Sequence, residues 1–441
     1  MATSPHTELP SFDKQGSLPD PERLKNAMDS FVSDFGAKTA MYMESCVRCG
    51  LCAEACHFYV TTGDPKYTPI HKIRPFEQAH ARQSGPLSPI YQMFGLAPRL
   101  TIEELETWEE LIYDSCTLCG RCTLACPMGI DIAELVKEAR HGMYKAGLVP
   151  DRLAQITRNT EARHSPFGEA EDFIRVAKQI ATDFNVEVKI DQPRADILVT
   201  TAPGDLEDHP KSFAGAALIL NRLGLSWTYS SQAFEATNFG FLSGNMELQK
   251  ELTCRLIDKA LEIGAHTILL PECGHAYGAA RWEAAQWYGK PVPVRVLHMI
   301  EFLAEQIESG AIPVRQVGES ATFHDPCQLI RRGGLERAPR VILRALGFEV
   351  RELNDHGVYS YCCGGGGGVI ANSRAKPLRY NVFELKRSQV DATGAKHFVT
   401  SCGQCRLTFS MGAKHFNWEK PIESLLELVA DNMVDSGAPV R

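Results

Sequence analysis

GAKHFVTSCGQC (residues 394–405) joins an apolar run to two cysteines, and it has a near copy upstream. GAHTILLPECGHA (264–276) matches it with one residue more, and LILNRLGL (218–225) matches VILRALGF (341–348) at an offset of 123. Self-similarity at a fixed offset means that one structural unit occurs twice. From ADILVTT (195–201) onward short apolar runs alternate with helical patterns, the signature of parallel α/β units. The reading is two related α/β halves, about 194–312 and 313–441.

The halves differ in cysteines. The second carries Cys327 in FHDPCQ, the adjacent Cys362 and Cys363 in SYCCGGGGGVIA (360–371), then Cys402 and Cys405, a pattern of C-x34-CC-x38-C-x2-C. Carried back by the repeat, those positions hold Gly204, Phe239, Gly240, Cys273 and Ala276, so the first half keeps the scaffold without the metal site. Adjacent residues in extended backbone point to opposite sides, so Cys362 and Cys363 suit a large, split metal cluster. Gly364, Gly365, Gly366 and the two glycines that follow lack a Cβ and permit positive φ. Backbone N–H groups can then approach and stabilise an anionic cluster.

Two further cysteine runs lie in the first third. CVRCGLCAEAC gives Cys46, Cys49, Cys52 and Cys56; CTLCGRCTLACP gives Cys116, Cys119, Cys122 and Cys126. Both have the spacing C-x2-C-x2-C-x3-C, in which three thiolates wrap one cubane [4Fe-4S] cluster and the fourth ligates the other cluster. Cys46, Cys49 and Cys52 are therefore expected with Cys126, and Cys116, Cys119 and Cys122 with Cys56. Zinc needs only four ligands and uses pairs separated by a longer loop, which two complete runs do not resemble. The first run is followed by His57 where proline is usual. The insert over 57–115 contains TIEELETWEELIYD, with Thr101 as N-cap and Ile102, Leu105, Trp108, Leu111 and Ile112 at helical spacing. DIAELVKEARHGMYKAGL predicts a second helix ending near Gly147.

Composition agrees with an intracellular redox protein. The 441 residues allow several domains, with 44% hydrophobic and 23% charged residues and a net charge of −8 that gives no nucleic-acid surface. Thirteen of the 15 cysteines fall in tight groups, which favours metal ligation in a reducing cytoplasm over disulfides. Neither a signal peptide nor an apolar run of about 20 residues is present. No G-x-G-x-x-G fingerprint opens a strand–helix unit, so a flavin would belong to a partner.

The five-cysteine pattern with its glycine run, the paired ferredoxin motifs, CHFYVTTGDPKYTP and PECGHA together resemble the CCG-domain iron–sulfur proteins of the heterodisulfide reductase family. The resemblance covers residues 40 to 441, closest to the catalytic-subunit type of dissimilatory sulfur metabolism. It implies a multidomain chain: a tail and helix (1–38), a helical ferredoxin domain with two cubane [4Fe-4S] clusters (39–150), a helical connector (151–193), a degenerate CCG domain (194–312) and an intact one (313–441). It further implies that Cys327, Cys362, Cys363, Cys402 and Cys405 bind a noncubane [4Fe-4S] cluster that cleaves a disulfide, or oxidises thiols in reverse. Partners would be redox proteins in a multisubunit complex, including a flavoprotein or a membrane subunit, with a thiol, disulfide or protein-bound sulfur as substrate. The alternative is an electron relay for a flavin-linked glycolate, lactate or glycerol 3-phosphate dehydrogenase.

Other residues stay open at this point. His275 sits between a ligand-equivalent position and a lost one, and reads equally as a proton carrier or a hydrogen-bonded core histidine. Cys273 is a core thiol or a site residue, and Cys254 is expected in a helix core. His324 and Asp325 read as a turn beside Cys327. Arg331 and Arg332 read as solvated surface or as contacts to an acidic substrate.

Overall fold

The computed structural model describes residues 19–34, 36–73, 88–94 and 100–434. The N-terminal part is helical. Thr101 caps the helix Ile102–Glu109 through a capping box with Glu104, and a π-helical turn over Glu110–Asp114 carries the chain to the second cysteine run. Leu105, Trp108 and Ile112 are buried there, with Phe31 edge-on to Trp108 at 5.5 Å between ring centroids. Asp131 caps the helix Ile132–Lys145, which ends just before Gly147 at φ +70°. Its inner face of Leu135, Val136, Ala139 and Met143 meets the helix Asp20–Asp29. Residues 74–87 and 95–99 of the long insert lie outside the described residues.

Two helices, Asp151–Arg163 and Ala170–Asp183, lead to the sheets. The first sheet comprises β1 (Ile197–Val199), β2 (Trp227–Tyr229), β3 (Thr267–Leu270) and β4 (Arg295–His298), all parallel in the order β2-β1-β3-β4. The second comprises β5 (Ser320–Phe323), β6 (Glu349–Val350), β7 (His397–Thr400) and β8 (Ile422–Ser424), again all parallel, in the order β6-β5-β7-β8. Numbered within each sheet, the order is the same, 2-1-3-4. Each central strand is buried along all or nearly all of its length because helices cover both faces of a parallel sheet.

The two units dock reciprocally. The helix after β1 (Pro210–Arg222) packs on the helix after β8 (Leu425–Asn432), and the helix after β4 (Met299–Glu308) packs on the one after β5 (Arg337–Ala345). In both pairs a helix following one unit's first strand meets the helix following the other's fourth. That is the pairing an approximate two-fold axis between related units produces. Apolar residues from both units form one continuous core.

Candidate metal centres

The two ferredoxin-type loops have the same backbone. Arg48 and Leu118, the third residues of the two runs, have φ +53° and +55°, and Gly50 and Gly120 have φ +82° and +72°. Left-handed turns at matched positions curl each loop so that its sulfurs face inward, and each glycine then opens a short helix, Leu51–Ala55 or Arg121–Ala125. The two helices pack together and exchange the last cysteine of each run.

That exchange sorts the sulfurs into two sets. Cys46, Cys49, Cys52 and Cys126 line an open cavity of about 840 Å³. Burial pushes the Cys52 thiol up, with Cys46, Cys49 and Cys126 adding repulsion. Cys56, Cys116, Cys119 and Cys122 instead line a cavity of about 20 Å³ beneath it. Burial holds Cys122 well above its ordinary value, and the charges of Cys119, Cys116 and Cys56 reinforce this. Cys49 is exposed, whereas Cys56 and Cys119 are buried.

The second α/β unit gathers its five cysteines at the carboxyl ends of β5 and β7, all of them buried. Cys327 leaves β5, and Cys402 leaves β7 as the N-cap of the helix Gly403–His415, whose third residue is Cys405. Cys362 and Cys363 divide between partners: Cys362 Sγ lies 3.8 Å from Cys327 Sγ, while Cys363 is within hydrogen-bond reach of Cys405. Hydrogen bonds from the Cys362 and Cys405 thiols hold Cys363 well below the ordinary thiol range against its burial, and the Gly365 N–H helps. Cys119 of the ferredoxin-type part reaches across and donates toward Cys362. The buried ring of His57, a residue whose only sequence signal was a missing proline, stands beside the same thiol.

The glycine run serves packing as well as reach. Gly364, Gly367 and Gly368 have φ between +62° and +86°. At Gly365 a Cβ would come within 2.0 Å of Thr408 Oγ1, so no side chain fits.

Among the described residues no three His, Cys, Asp or Glu side chains are placed to grip a single metal ion. A cluster spreads its ligands over several irons, so the surroundings are the better test of fit. Four buried cations, Lys72, Arg140, Arg379 and Lys386, make no ion pair with a carboxylate among the described residues, and all four lie beside these cysteines. Burial alone would pull the Lys72 ammonium down, but Cys56, Cys116 and Cys122 hold it above its ordinary value. Burial draws Lys386 down to about 8, opposed by Asp325, Asp355, Cys362 and Cys363, and its Nζ has no hydrogen-bond partner. Uncompensated buried charge costs several kcal/mol. Anionic iron–sulfur clusters on these sulfurs would offset it, so the residues fit the group.

The remaining candidates are placed as follows. His275 points an unpartnered Nε2 inward, and its ring lies against Gly366, where a Cβ would sit 3.3 Å from Cε1. Burial, with Arg140 and Arg332 nearby, brings it down to about 4, so the imidazole is neutral near pH 7. Cys273 caps the helix Gly274–Gly278, and burial together with the charge of Cys402 pushes its thiol up to about 12. Cys254 is half-buried beside Asp258 instead of in a core, because its helix turns that face outward. Asp325 is held by two hydrogen bonds from Arg340, 2.6 and 3.0 Å, and accepts from the Gly357 N–H, a structural anchor for the turn.

Arg331 is half-buried and Arg332 exposed, and both are engaged in contacts within the protein. Arg331 donates to the carbonyls of Val358, Cys119 and Ser360, and Arg332 pairs with Asp131 at 3.2 Å. Arg121 answers from the other side, pairing with Asp355 at 2.9 Å and stacking 3.6 Å from the Tyr361 ring centroid. These contacts span more than 200 residues of sequence and fasten the ferredoxin-type part to the five-cysteine unit.

Comparison with known proteins follows the same division. Residues 42–130 match a 4Fe-4S dicluster domain, and residues 321–410 match the cysteine-rich CCG domain. An Hdr-like menaquinol oxidoreductase iron-sulfur subunit of Archaeoglobus profundus is 28% identical over 94% of this chain and 84% of its own length. A subunit of the dihydromethanophenazine:CoB--CoM heterodisulfide reductase of Methanosarcina barkeri is 25% identical over 89% of this chain and 94% of its own. The EtfAB:quinone oxidoreductase of Syntrophomonas wolfei is 26% identical over 87% of this chain and 57% of its own. The chain thus carries a 4Fe-4S dicluster domain and a cysteine-rich CCG domain, and it is similar nearly end to end to Hdr-like and heterodisulfide reductase iron–sulfur subunits.

Proposed function

We propose that the chain is the iron–sulfur subunit of a heterodisulfide reductase-like complex of dissimilatory sulfur metabolism, exchanging electrons with a thiol or disulfide. In this reading Cys46, Cys49, Cys52 and Cys126 hold one cubane cluster and Cys56, Cys116, Cys119 and Cys122 a second. Cys327, Cys362, Cys363, Cys402 and Cys405 hold a noncubane cluster, and the three groups supply one-electron steps when bound. The cysteine-poor unit at 194–312 is then a degenerate copy of the one at 313–441.

The observation that carries the reading is the contact between Cys119 and Cys362, because it sets the inner ferredoxin-type sulfurs against the five-cysteine set. Arg121, Arg331 and Arg332 hold that junction rigid. Cleaving a disulfide takes two electrons and two protons. A cleft of about 690 Å³, lined by Trp282, Gln328 and Arg332, reaches the neutral His275, whose unpartnered Nε2 can pass a proton. Among the described residues no helix is long and apolar enough to cross a membrane, so any membrane contact would come through a partner subunit.

A second reading, electron relay between a flavoprotein and a quinone, draws on the relatives named as menaquinol and EtfAB:quinone oxidoreductases. Addition of organic thiols to the oxidised complex under anaerobic conditions separates the two. A changed paramagnetic signal from the five-cysteine site is the expected result. A signal untouched by thiols, with all clusters intact, sinks the sulfur reading and leaves the relay.

A further inference from the structure

Lys72 and Lys386 are the two fully buried lysines among the described residues, and each stands against a different cysteine set. Lys72 comes from the insert between the ferredoxin motifs. Its Nζ lies 3.6 Å from Cys56 Sγ, donates to the Ser115 carbonyl and sits over the Phe58 ring at 5.4 Å. Lys386 comes from the helix Lys376–Ala392, which packs between the helix His57–Thr62 and the helix that carries Cys405. Its Nζ is buried without a hydrogen-bond partner, in the field of Asp325 and Asp355 as well as of Cys362 and Cys363. The two residues come from unrelated parts of the chain and share only this placement. Helix stability cannot explain Lys386, since any apolar residue would fill that buried position without stranding a charge.

Given the cluster assignment above, we propose that Lys72 and Lys386 set the reduction potentials of the two buried sites, one lysine to each. Adding an electron makes a cluster more negative, and a fixed ammonium in a low-dielectric interior stabilises that state relative to the oxidised one. Burial alone would make reduction harder, because water cannot solvate the added charge; each lysine offsets this locally. The outer set opens on a large cavity, where solvent does the same work. The lysines are thus positioning charges for electrons, and do not themselves touch substrate.

The test is a potentiometric titration, followed by electron paramagnetic resonance, of the anaerobic full-length chain with Lys72→Met and Lys386→Met. The K72M chain should show the inner cubane cluster shifted at least tenfold toward the oxidised form, about 59 mV lower for a one-electron step, with the outer cluster unmoved. The K386M chain should show the same shift at the five-cysteine site alone. Lys→Arg at either position keeps the charge and should keep the potential near wild type. Met variants with full iron content and wild-type potentials overturn the proposal. Iron lost in the Met variant but kept in the Arg variant supports a charge role, whereas iron lost in both overturns it in favour of side-chain shape. Wild-type iron content reports separately on the functional reading. A chain holding two cubane clusters and no third fails that reading, while Lys72 is still decided.

Discussion

After β5 and β7 the second α/β unit places Cys327, Cys402 and Cys405; after β1 and β3 the first unit places Gly204, Cys273 and Ala276 at the matching turns. Strand order, strand direction and the reciprocal helix pairing are nevertheless the same in both. What the first unit kept is the surface that closes its partner's site. The Gly403 N–H, next to Cys402, donates to the Glu272 carbonyl, and a Cβ on Gly274 would strike Gln328 next to Cys327. In place of sulfurs it brings buried carboxylates. Glu272 accepts from Ser424 and Ser212 and pairs with Arg406, beside Cys405. Loss of ligands without loss of docking separates two duties that a repeat normally performs together.

The sharpest way to break this comparison is one cysteine substitution in each unit. Cys363→Ser should abolish the five-cysteine site's spectrum while both ferredoxin-type clusters stay reducible, since serine oxygen is a poor replacement for a thiolate on iron. Cys273→Ser should leave the iron count unchanged. Equal losses from the two would show that the first unit still ligates metal.

Next in size is Asp325→Ala. Asp325 has no exposed side-chain surface and is gripped by Arg340, whereas the repeat places Ala202 at the matching position of the first unit. Removing one partner of a buried pair costs about 3 kcal/mol, at the low end because Arg340 keeps Glu352. The drop in the anaerobic thermal midpoint measures it.

Glycines sharpen the contrast further. Gly365→Ala forces a Cβ onto Thr408 and should cost about 1–3 kcal/mol, with partial rescue by Thr408→Ala. Gly278→Ala, in a helix of the first unit with open space around it, should be neutral or stabilise by up to about 1 kcal/mol. Thermal melts of the four chains check both.

The smallest effect concerns protons. Burial pushes Glu235 up to about 7, so the folded chain keeps a proton that the unfolded chain loses above the ordinary value of 4.5. Its stability contribution is complete below that value and fades as pH rises toward 7. Glu235→Gln should therefore gain on wild type steadily between pH 5 and 7, and a flat difference across denaturation curves would refute the burial argument.

The sulfurs were legible in the sequence because ligand spacing is local chemistry, and the repeat was legible because GAHTILLPECGHA and GAKHFVTSCGQC survive side by side. Thr101 likewise announced its helix. Arg331, read as solvated surface or a substrate contact, and His57, read as a lapse in a motif, both meet Cys119, more than 60 residues away from either. Lys72 and Lys386 carry no periodic or motif signal at all. A charge is exposed by default in a sequence, and only tertiary packing reveals that it has been buried against sulfur.

The gradient from the exposed Cys49 to the buried Cys119 and Cys362 also grades the chain's vulnerability. Oxygen or a chelator meets the outer sulfurs first, across an open cavity, while the arginine-fastened junction stays closed. Early damage would thus fall on the outer site and spare the five-cysteine centre, which in the proposed reading would cut the route for electrons before the place of reaction. Repair from that state requires rebuilding one cluster at the surface, with no need to unfold the rest.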